Sequence, residues 1–314
     1  MQGLLKGSEM SSTVKQAVSE LSVPVPWGEI RGKVWGPDHG HPVLCLHGWA
    51  DNCGTFNSLI PLLPEECRYV AVDMAGHGLS SHRPPGVFYT FPAYVVDVHR
   101  IINDLGWTKF SIIGHSMGSN VAAMFSALFP KMVDALVLLD FPGFLPTLAS
   151  DIPKIMKQGI EEMLQFEKKK QENKRVYTYE KAAERLMAAN PTLSEVSVRT
   201  LLERGLTQVE GGFVFSRDLR VNFKNIVRLT LEQSREMQSS IQAAVLLVLA
   251  DKGIDGTLNP NEQKLISELL QGYQDKNHTV VTVSGDHHVH LNNPEVVAPL
   301  ISDFLQTKVL SQPA

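Results

Sequence analysis

Two short stretches hold most of the chemistry this chain could perform. Gly114-His115-Ser116-Met117-Gly118 fits G-x-S-x-G, with an apolar run, Phe110 to Ile113, before it and an Ala-rich run, Ser119 to Phe129, after it. A strand, this pentapeptide and a helix form a turn so sharp that the central serine is held in a strained backbone conformation at a helix N-terminus. A Cβ at position 114 or 118 would crowd that turn, which accounts for both glycines. The pentapeptide alone is a weak signal; its strand and helix flanks make it a strong one. The second stretch, Ser284-Gly285-Asp286-His287-His288-Val289-His290, follows another apolar run, Thr279 to Val283.

A serine hydroxyl is a weak nucleophile at neutral pH. It needs a base to take its proton, an acid to orient that base, and donors for the developing oxyanion. The base expected here is His287, in the first turn after the last strand, with His288 second and His290 third. Three close histidines could also hold zinc, but no H-E-x-x-H pair or cysteine ligand accompanies them. The acid is open among Asp140, after the run Ala135 to Leu139, and Asp251 or Asp255, after Val245 to Leu249. A buried carboxylate at either strand end could hold the histidine tautomer and stabilise its imidazolium. Ordinary turn chemistry competes at all three positions. For the oxyanion, the expected donors are the backbone N–H groups of Met117, just after the serine, and of Trp49. Trp49 lies in the loop His47-Gly48-Trp49-Ala50-Asp51-Asn52, where Gly48 permits close backbone approach. The Gly-rich loop Asp73 to Ser80 fits no phosphate-binding pattern and reads as a structural loop. His77, His82 and His115 read as structural or exposed rather than catalytic.

The elements that must position these groups follow from hydrophobic patterning. Short apolar runs at Pro42 to Leu46, Tyr69 to Val72, Phe110 to Ile113, Ala135 to Leu139, Val245 to Leu249 and Thr279 to Val283 are continuous rather than alternating, so both faces are buried. Glu29 to Trp35 alternates and predicts an antiparallel edge strand. Helical spacing predicts helices over Ala93 to Leu105 and Pro294 to Gln306, the latter with Asn293 at its N-cap. The fold class is therefore α/β, a mostly parallel sheet flanked by helices. Between about 143 and 239 the pattern changes to helices with little strand, including one opened by Thr192-x-x-Glu195 and one over Asn222 to Met237. The expected division is a loosely ordered segment 1–22, a core of 23–142 and 240–314, and an inserted helical cap, 143–239. Met156, Met163 and Phe166 of that cap suggest a mainly apolar pocket. The charged run Glu167 to Lys170 reads as a solvated helix face.

Composition narrows the function. With 314 residues, 43% of them hydrophobic, the chain can bury a large core. A net charge of −4 and a pI near 6.3, with no basic stripe, argue against nucleic acid as a partner. Cys45, Cys53 and Cys67, with no C-x-x-C spacing, read as reduced thiols. There is no secretory leader, no transmembrane run and no C-terminal S-K-L, so a cytoplasmic location is expected. No metal cluster or nucleotide loop is present, so no cofactor is expected, and the expected partner is a small acyl-bearing substrate.

His47-Gly48-Trp49, Asp73-x-x-Gly76-His77-Gly78-x-Ser80, the pentapeptide around Ser116, and His287 before Pro294-Glu295 together resemble the α/β-hydrolase superfamily across nearly the whole chain outside the cap. Gly211 to Asp218 is similar to members with an inserted helical lid. The resemblance implies a Ser-His-acid hydrolase of the esterase class, acting through an acyl-enzyme. It also bears on the acid. Many relatives carry it as G-x-x-D after the second-last strand, whereas here Gly253 holds that position. Some dehalogenase-like members place it one strand earlier, where Asp140 stands, so the resemblance favours Asp140 and keeps Asp251 and Asp255 as alternatives. Epoxide hydrolases and haloalkane dehalogenases have Asp at the centre of the pentapeptide, which Ser116 excludes. A carbon–carbon bond hydrolase remains compatible with Ser116. A binding or scaffold relative has only the missing carboxylate at Gly253 in its favour.

Overall fold

The computed structural model describes residues 16–169, 174–276 and 278–312. An opening hairpin joins β1 (Val18–Val25) to β2 (Gly28–Trp35), and β3 (His41–Leu46) and β4 (Cys67–Val72) follow. Helix α1 (Phe91–Leu105), β5 (Phe110–His115), α2 (Met117–Leu128) and β6 (Val133–Leu139) complete the first part. The strands lie in one eight-stranded sheet in the order β1-β2-β4-β3-β5-β6 and then β9 (Ala244–Lys252) and β10 (Thr279–Asp286). The pairs from β4 onward are parallel, whereas β1, β2 and β4 pair antiparallel. The parallel strands therefore all end on one side, the edge where open α/β sheets build their sites.

The apolar strand runs are explained by two cores, one on each face. Leu44, Leu46, Val70, Val72, Ile112, Leu136, Leu138, Val245 and Leu247 point to the face covered by α1 and α2. Their neighbours Val43, Cys45, Tyr69, Ala71, Ile113, Val137, Leu246 and Val248 point to the other. Each fully buried aliphatic side chain contributes about 1.5–3 kcal/mol. Helix α2 is the most deeply buried, every residue from Gly118 to Ala127 included. Small residues let it lie against the sheet, and its buried hydroxyls are satisfied locally, Ser119 Oγ donating to Gly114 O and Ser126 Oγ to Ala122 O, both at 2.8 Å. Helix α1 starts two residues before the expected point, because the Thr90 side chain caps it and Pro92 occupies its first turn.

The segment between β6 and β9 carries α3 (Ile152–Lys168), α4 (Tyr179–Ala189), α5 (Glu195–Gly205), a hairpin of β7 (Leu206–Val209) and β8 (Gly212–Phe215), and α6 (Leu231–Ser239). Helix α7 (Pro260–Asp275) joins β9 to β10, and α8 (Val289–Asn292) and α9 (Pro294–Leu305) close the chain. The inserted segment has a small core of its own, Ala182, Leu193, Val198, Leu201, Leu202 and Leu206, joined by Leu291. Polar ties fasten it to the sheet's carboxyl edge. Arg204 of α5 bridges Asp73 at 2.8 Å and Glu20 at 2.7 Å, Asn52 Nδ2 donates to Leu201 O at 2.8 Å, and Tyr89 Oη donates to Asp218 at 2.8 Å.

Four local expectations are corrected. Glu29 to Trp35 is not an edge strand, since β1 pairs outside it. For the same reason residues 18–22 of the expected loose segment 1–22 are ordered sheet, held by the full register Val18↔Trp35 to Val25↔Gly28; residues 1–15 of that segment, like Lys170 of the charged run, lie outside the described residues. Thr192 does not open α5, because Ser194 sits at the N-cap and accepts from Ser197 N. Helix α6 starts only at Leu231, where Thr230 and Gln233 form a capping box, and residues 223–229 are irregular.

Candidate active site

Ser116 lies between β5 and α2 with φ 52° and ψ −116°, a region that non-glycine residues rarely enter. The turn is held by Ser116 N donating to Leu139 O at 3.1 Å. A Cβ on Gly114 would stand 2.6 Å from Gly118 O, and one on Gly118 would stand 2.1 Å from Leu46 O. Both glycines are thus required by close backbone approach.

Of the three loop histidines, only His287 meets the serine, its Nε2 lying 3.0 Å from Ser116 Oγ. Its Nδ1 lies 2.6 Å from Asp140 Oδ2. An ionised carboxylate only accepts, so the ring proton sits on Nδ1 and the Nε2 lone pair faces the hydroxyl. Asp140, 2% exposed, also accepts from Ala250 N and Ile254 N, each at 2.8 Å. Its positive φ of 52° turns the side chain across β9 while its own N–H continues the ladder to Val248 O at 2.7 Å. This arrangement explains Gly253. A Cβ there would lie 2.2 Å from Asp140 Oδ1 and 2.3 Å from Oδ2. A carboxylate from the preceding strand thus stands where a side chain at position 253 would lie.

Asp251 and Asp255 are not brought to the histidine. Asp251 Oδ1 accepts from Gly285 N at 2.9 Å, bracing the start of the His287 loop, and Asp255 lies exposed in a single turn of helix. His288 Nε2 instead faces Asp51 Oδ2 at 3.1 Å, and His290 Nε2 faces Thr55 Oγ1 at 2.8 Å. Burial pushes the His290 ring down to about 3. Burial also works to lower His288 and to raise Asp51, but each charge overrides this for the other, so the histidine sits above and the carboxyl below its usual range.

The loop His47 to Asn52 is pinned by two buried histidines. His47 Nε2 accepts from Met74 N at 2.9 Å while its Nδ1–H donates to Gly48 O at 2.7 Å. His77 Nε2 accepts from Ala50 N at 3.2 Å, and its Nδ1–H donates to Ala75 O at 3.1 Å. Burial lowers both, His77 to about 3, so they stay neutral acceptors. Trp49, Ser116 and Met117 line one cavity of about 390 Å³. Met117 is the first residue of α2, so its N–H has no acceptor within the helix. The Trp49 indole donates to Val221 O at 2.9 Å, tying this loop to the inserted segment.

The cavity wall differs from the one expected. Tyr89, Phe91, Phe141, Leu145, Val221 and Phe223 supply its apolar surface. Met163 is buried away from it, Met156 is 38% exposed, and Phe166 packs edge-on against Phe223 with ring centres 5.6 Å apart. The residue between Gly114 and Ser116 has a larger part than its position suggested. His115 is fully buried, and its Nε2 donates to the backbone carbonyl of His287 at 2.7 Å, which fixes the His287 loop over the serine. His82, in contrast, is partly exposed, its Nε2 donating to Ser216 O at 2.8 Å.

Comparison with known proteins agrees with this architecture. Residues 41–199 match the model of the alpha/beta hydrolase fold family. The chain is 55% identical to a serine hydrolase-like protein of Danio rerio, over 94% of this chain and 91% of that one. It is 42% identical to serine hydrolase-like protein 2 of Homo sapiens, over 92% and 94% of the two chains. Among solved structures, the thioesterase domain from the curacin biosynthetic pathway superposes with a TM-score of 0.76 at 26% identity, covering 91% of this chain and 99% of that domain.

Proposed function

We propose, because this chain belongs to the α/β-hydrolase family, that it is a serine hydrolase cleaving a carboxylic ester or thioester through an acyl-enzyme. Ser116 Oγ attacks the acyl carbon while His287 Nε2 takes its proton. Asp140 keeps the ring in the competent tautomer and stabilises the imidazolium. The N–H groups of Met117 and Trp49 receive the oxyanion. His287 then protonates the leaving group, and a water activated by the same ring releases the acid.

The observation that carries this reading is the unbroken hydrogen-bond chain Asp140–His287–Ser116, at 2.6 and 3.0 Å, ending on a strained serine at a cavity. The aromatic and aliphatic lining of that cavity favours an apolar acyl group, and its volume suits a small ligand. No helix among the described residues is long and apolar enough to cross a membrane, and we place the enzyme in the cytoplasm as part of this proposal.

A fluorophosphonate probe, which reacts with activated serines, tests the reading. Labelling should disappear in Ser116→Ala and fall by roughly 10³-fold or more in His287→Ala and Asp140→Asn. Normal labelling of Asp140→Asn would exclude Asp140 as the acid. A folded wild-type protein that never labels, and hydrolyses no member of an ester and thioester panel, would exclude the hydrolase reading itself.

A further inference from the structure

Beside the proposed catalytic groups lies a second, unused set. Asp51 comes from the loop after β3, His115 from the end of β5 and His288 from the loop after β10. One ligand atom from each lies within 4.8 Å of the others, and all three residues are buried. We propose that Asp51, His115 and His288 bind a divalent transition-metal ion of the zinc type, and that the bound ion slows the reaction at Ser116.

The state of His115 carries the argument. Its Nε2 faces a backbone carbonyl, which can only accept, so Nε2 holds the ring proton. Nδ1 is then a bare lone pair, buried and without a partner among the described residues. An orphaned buried acceptor is costly and calls for an occupant. Metal-binding histidines usually donate their other ring N–H to a carbonyl or carboxylate, and His115 already does so. The second ligand pair, Asp51 Oδ2 and His288 Nε2, is 3.1 Å apart and shares the Nε2 proton, which the ion releases to solvent on binding; the separation is close to the roughly 3.4 Å that a tetrahedral ion with bonds near 2.1 Å needs. Two imidazoles and one carboxylate suit zinc, whereas calcium and magnesium prefer all-oxygen sets. Three protein ligands leave a fourth position for water. Asp51 also lines a second cavity, about 480 Å³, between its loop and helices α4 and α5.

This set differs from the three loop histidines weighed in the sequence, since only one of those, His288, takes part. The link to the reaction is electrostatic. The His287 ring centre is 4.7 Å from that of His115 and 5.4 Å from that of His288. When His287 accepts the serine proton it becomes a cation, and a dication one ring away opposes that step. Binding at this site stands independently of the hydrolase reading; the slowing rests on it.

The test uses the full-length chain freed of metal with a chelator and titrated with zinc chloride. Binding is read by calorimetry and by metal content after gel filtration, and fluorophosphonate labelling is followed in parallel. Wild type should bind about one zinc per chain, with an affinity reduced roughly tenfold or more in His288→Gln and Asp51→Asn. Zinc should slow wild-type labelling at least several-fold, reversibly with chelator, and should leave both variants unaffected. Zinc bound equally by wild type and both variants would overturn the proposal, as would no binding to wild type. Zinc bound as expected by a protein that never labels would uphold the site while excluding the hydrolase reading. A zinc-soaked wild-type crystal decides the matter without variants: anomalous density between Asp51, His115 and His288 upholds the site, and density on His287 or elsewhere overturns it.

Discussion

Gly253→Ala is the most revealing single change, because it adds one methyl group where the proposed acid already stands. The new Cβ would lie 2.2 Å from Asp140 Oδ1, 2.3 Å from Oδ2 and 2.5 Å from Cγ. Ordinary carbon contacts begin near 3.5 Å, so the carboxylate must retreat by about 1 Å. The Asp140 backbone cannot retreat with it, since its N–H is fixed to Val248 O at 2.7 Å. The side chain must rotate instead, which breaks the 2.6 Å bond to His287 and strains those from Ala250 and Ile254. Hydrogen bonds to a charged group contribute about 1.5–3 kcal/mol each, so losing one or two should cost roughly 2–5 kcal/mol of stability. Neutralising the acid of a Ser-His-Asp triad slows catalysis by about 10⁴. A displaced carboxylate still supplies charge, so the fluorophosphonate labelling rate should fall by roughly 10²–10⁴. Labelling kinetics and the urea midpoint measure the two effects together. Wild-type labelling at an unchanged midpoint would refute the spatial exchange between positions 253 and 140. The converse change, Asp140→Gly with Gly253→Asp, should label at least about tenfold faster than Asp140→Gly alone, because glycine accepts the φ of 52° at position 140 and the new side chain starts where the old carboxylate stood.

Three further outcomes follow from the geometry. Ser116→Gly should be more stable than Ser116→Ala by about 1 kcal/mol in chemical denaturation, since only glycine relieves the positive φ. Arg204→Leu should lower stability by about 3–5 kcal/mol by leaving the buried Asp73 carboxylate without its guanidinium; an unchanged urea midpoint would mean that this tie between α5 and the sheet edge is idle. His77, lowered to about 3 by burial, binds its proton more readily unfolded than folded, so its contribution is present above pH 6.5 and is lost as pH falls towards 3. Between pH 7 and 5.5 this amounts to about 1 kcal/mol, with His47 adding in the same direction and the raised His288 offsetting part of it; a flat urea midpoint across that window would contradict the burial of these rings.

Much of this arrangement was legible without coordinates, wherever the signal is local. The G-x-S-x-G turn is decided by steric demands among five adjacent residues, so it can be read as it stands. The parallel strands were legible because burial on both faces demands unbroken apolar runs, and the two cores divide those runs residue by residue. β1 escaped notice because most of its residues are exposed and its order comes from pairing with β2, not from its own hydrophobicity. The cavity lining escaped for a similar reason. Met156, Met163 and Phe166 carry an apolar pattern, but a helix pattern says which residues seek cover and not which cover they find.

Which aspartate meets His287 belongs wholly to the tertiary structure. Asp140, Asp251 and Asp255 are alike as residues at strand ends. What separates them is that β6, β9 and β10 lie side by side, so that an aspartate after β6 reaches across β9 to a histidine after β10. His287, His288 and His290 are equally alike in sequence, and only the directions of their side chains send one to Ser116, one to Asp51 and one to Thr55. Sequence determines which chemical groups are available and the local turns that hold them. Distances of 2.6 and 3.0 Å between residues 147 and 171 positions apart arise only when the sheet order is complete, because no local interaction specifies them.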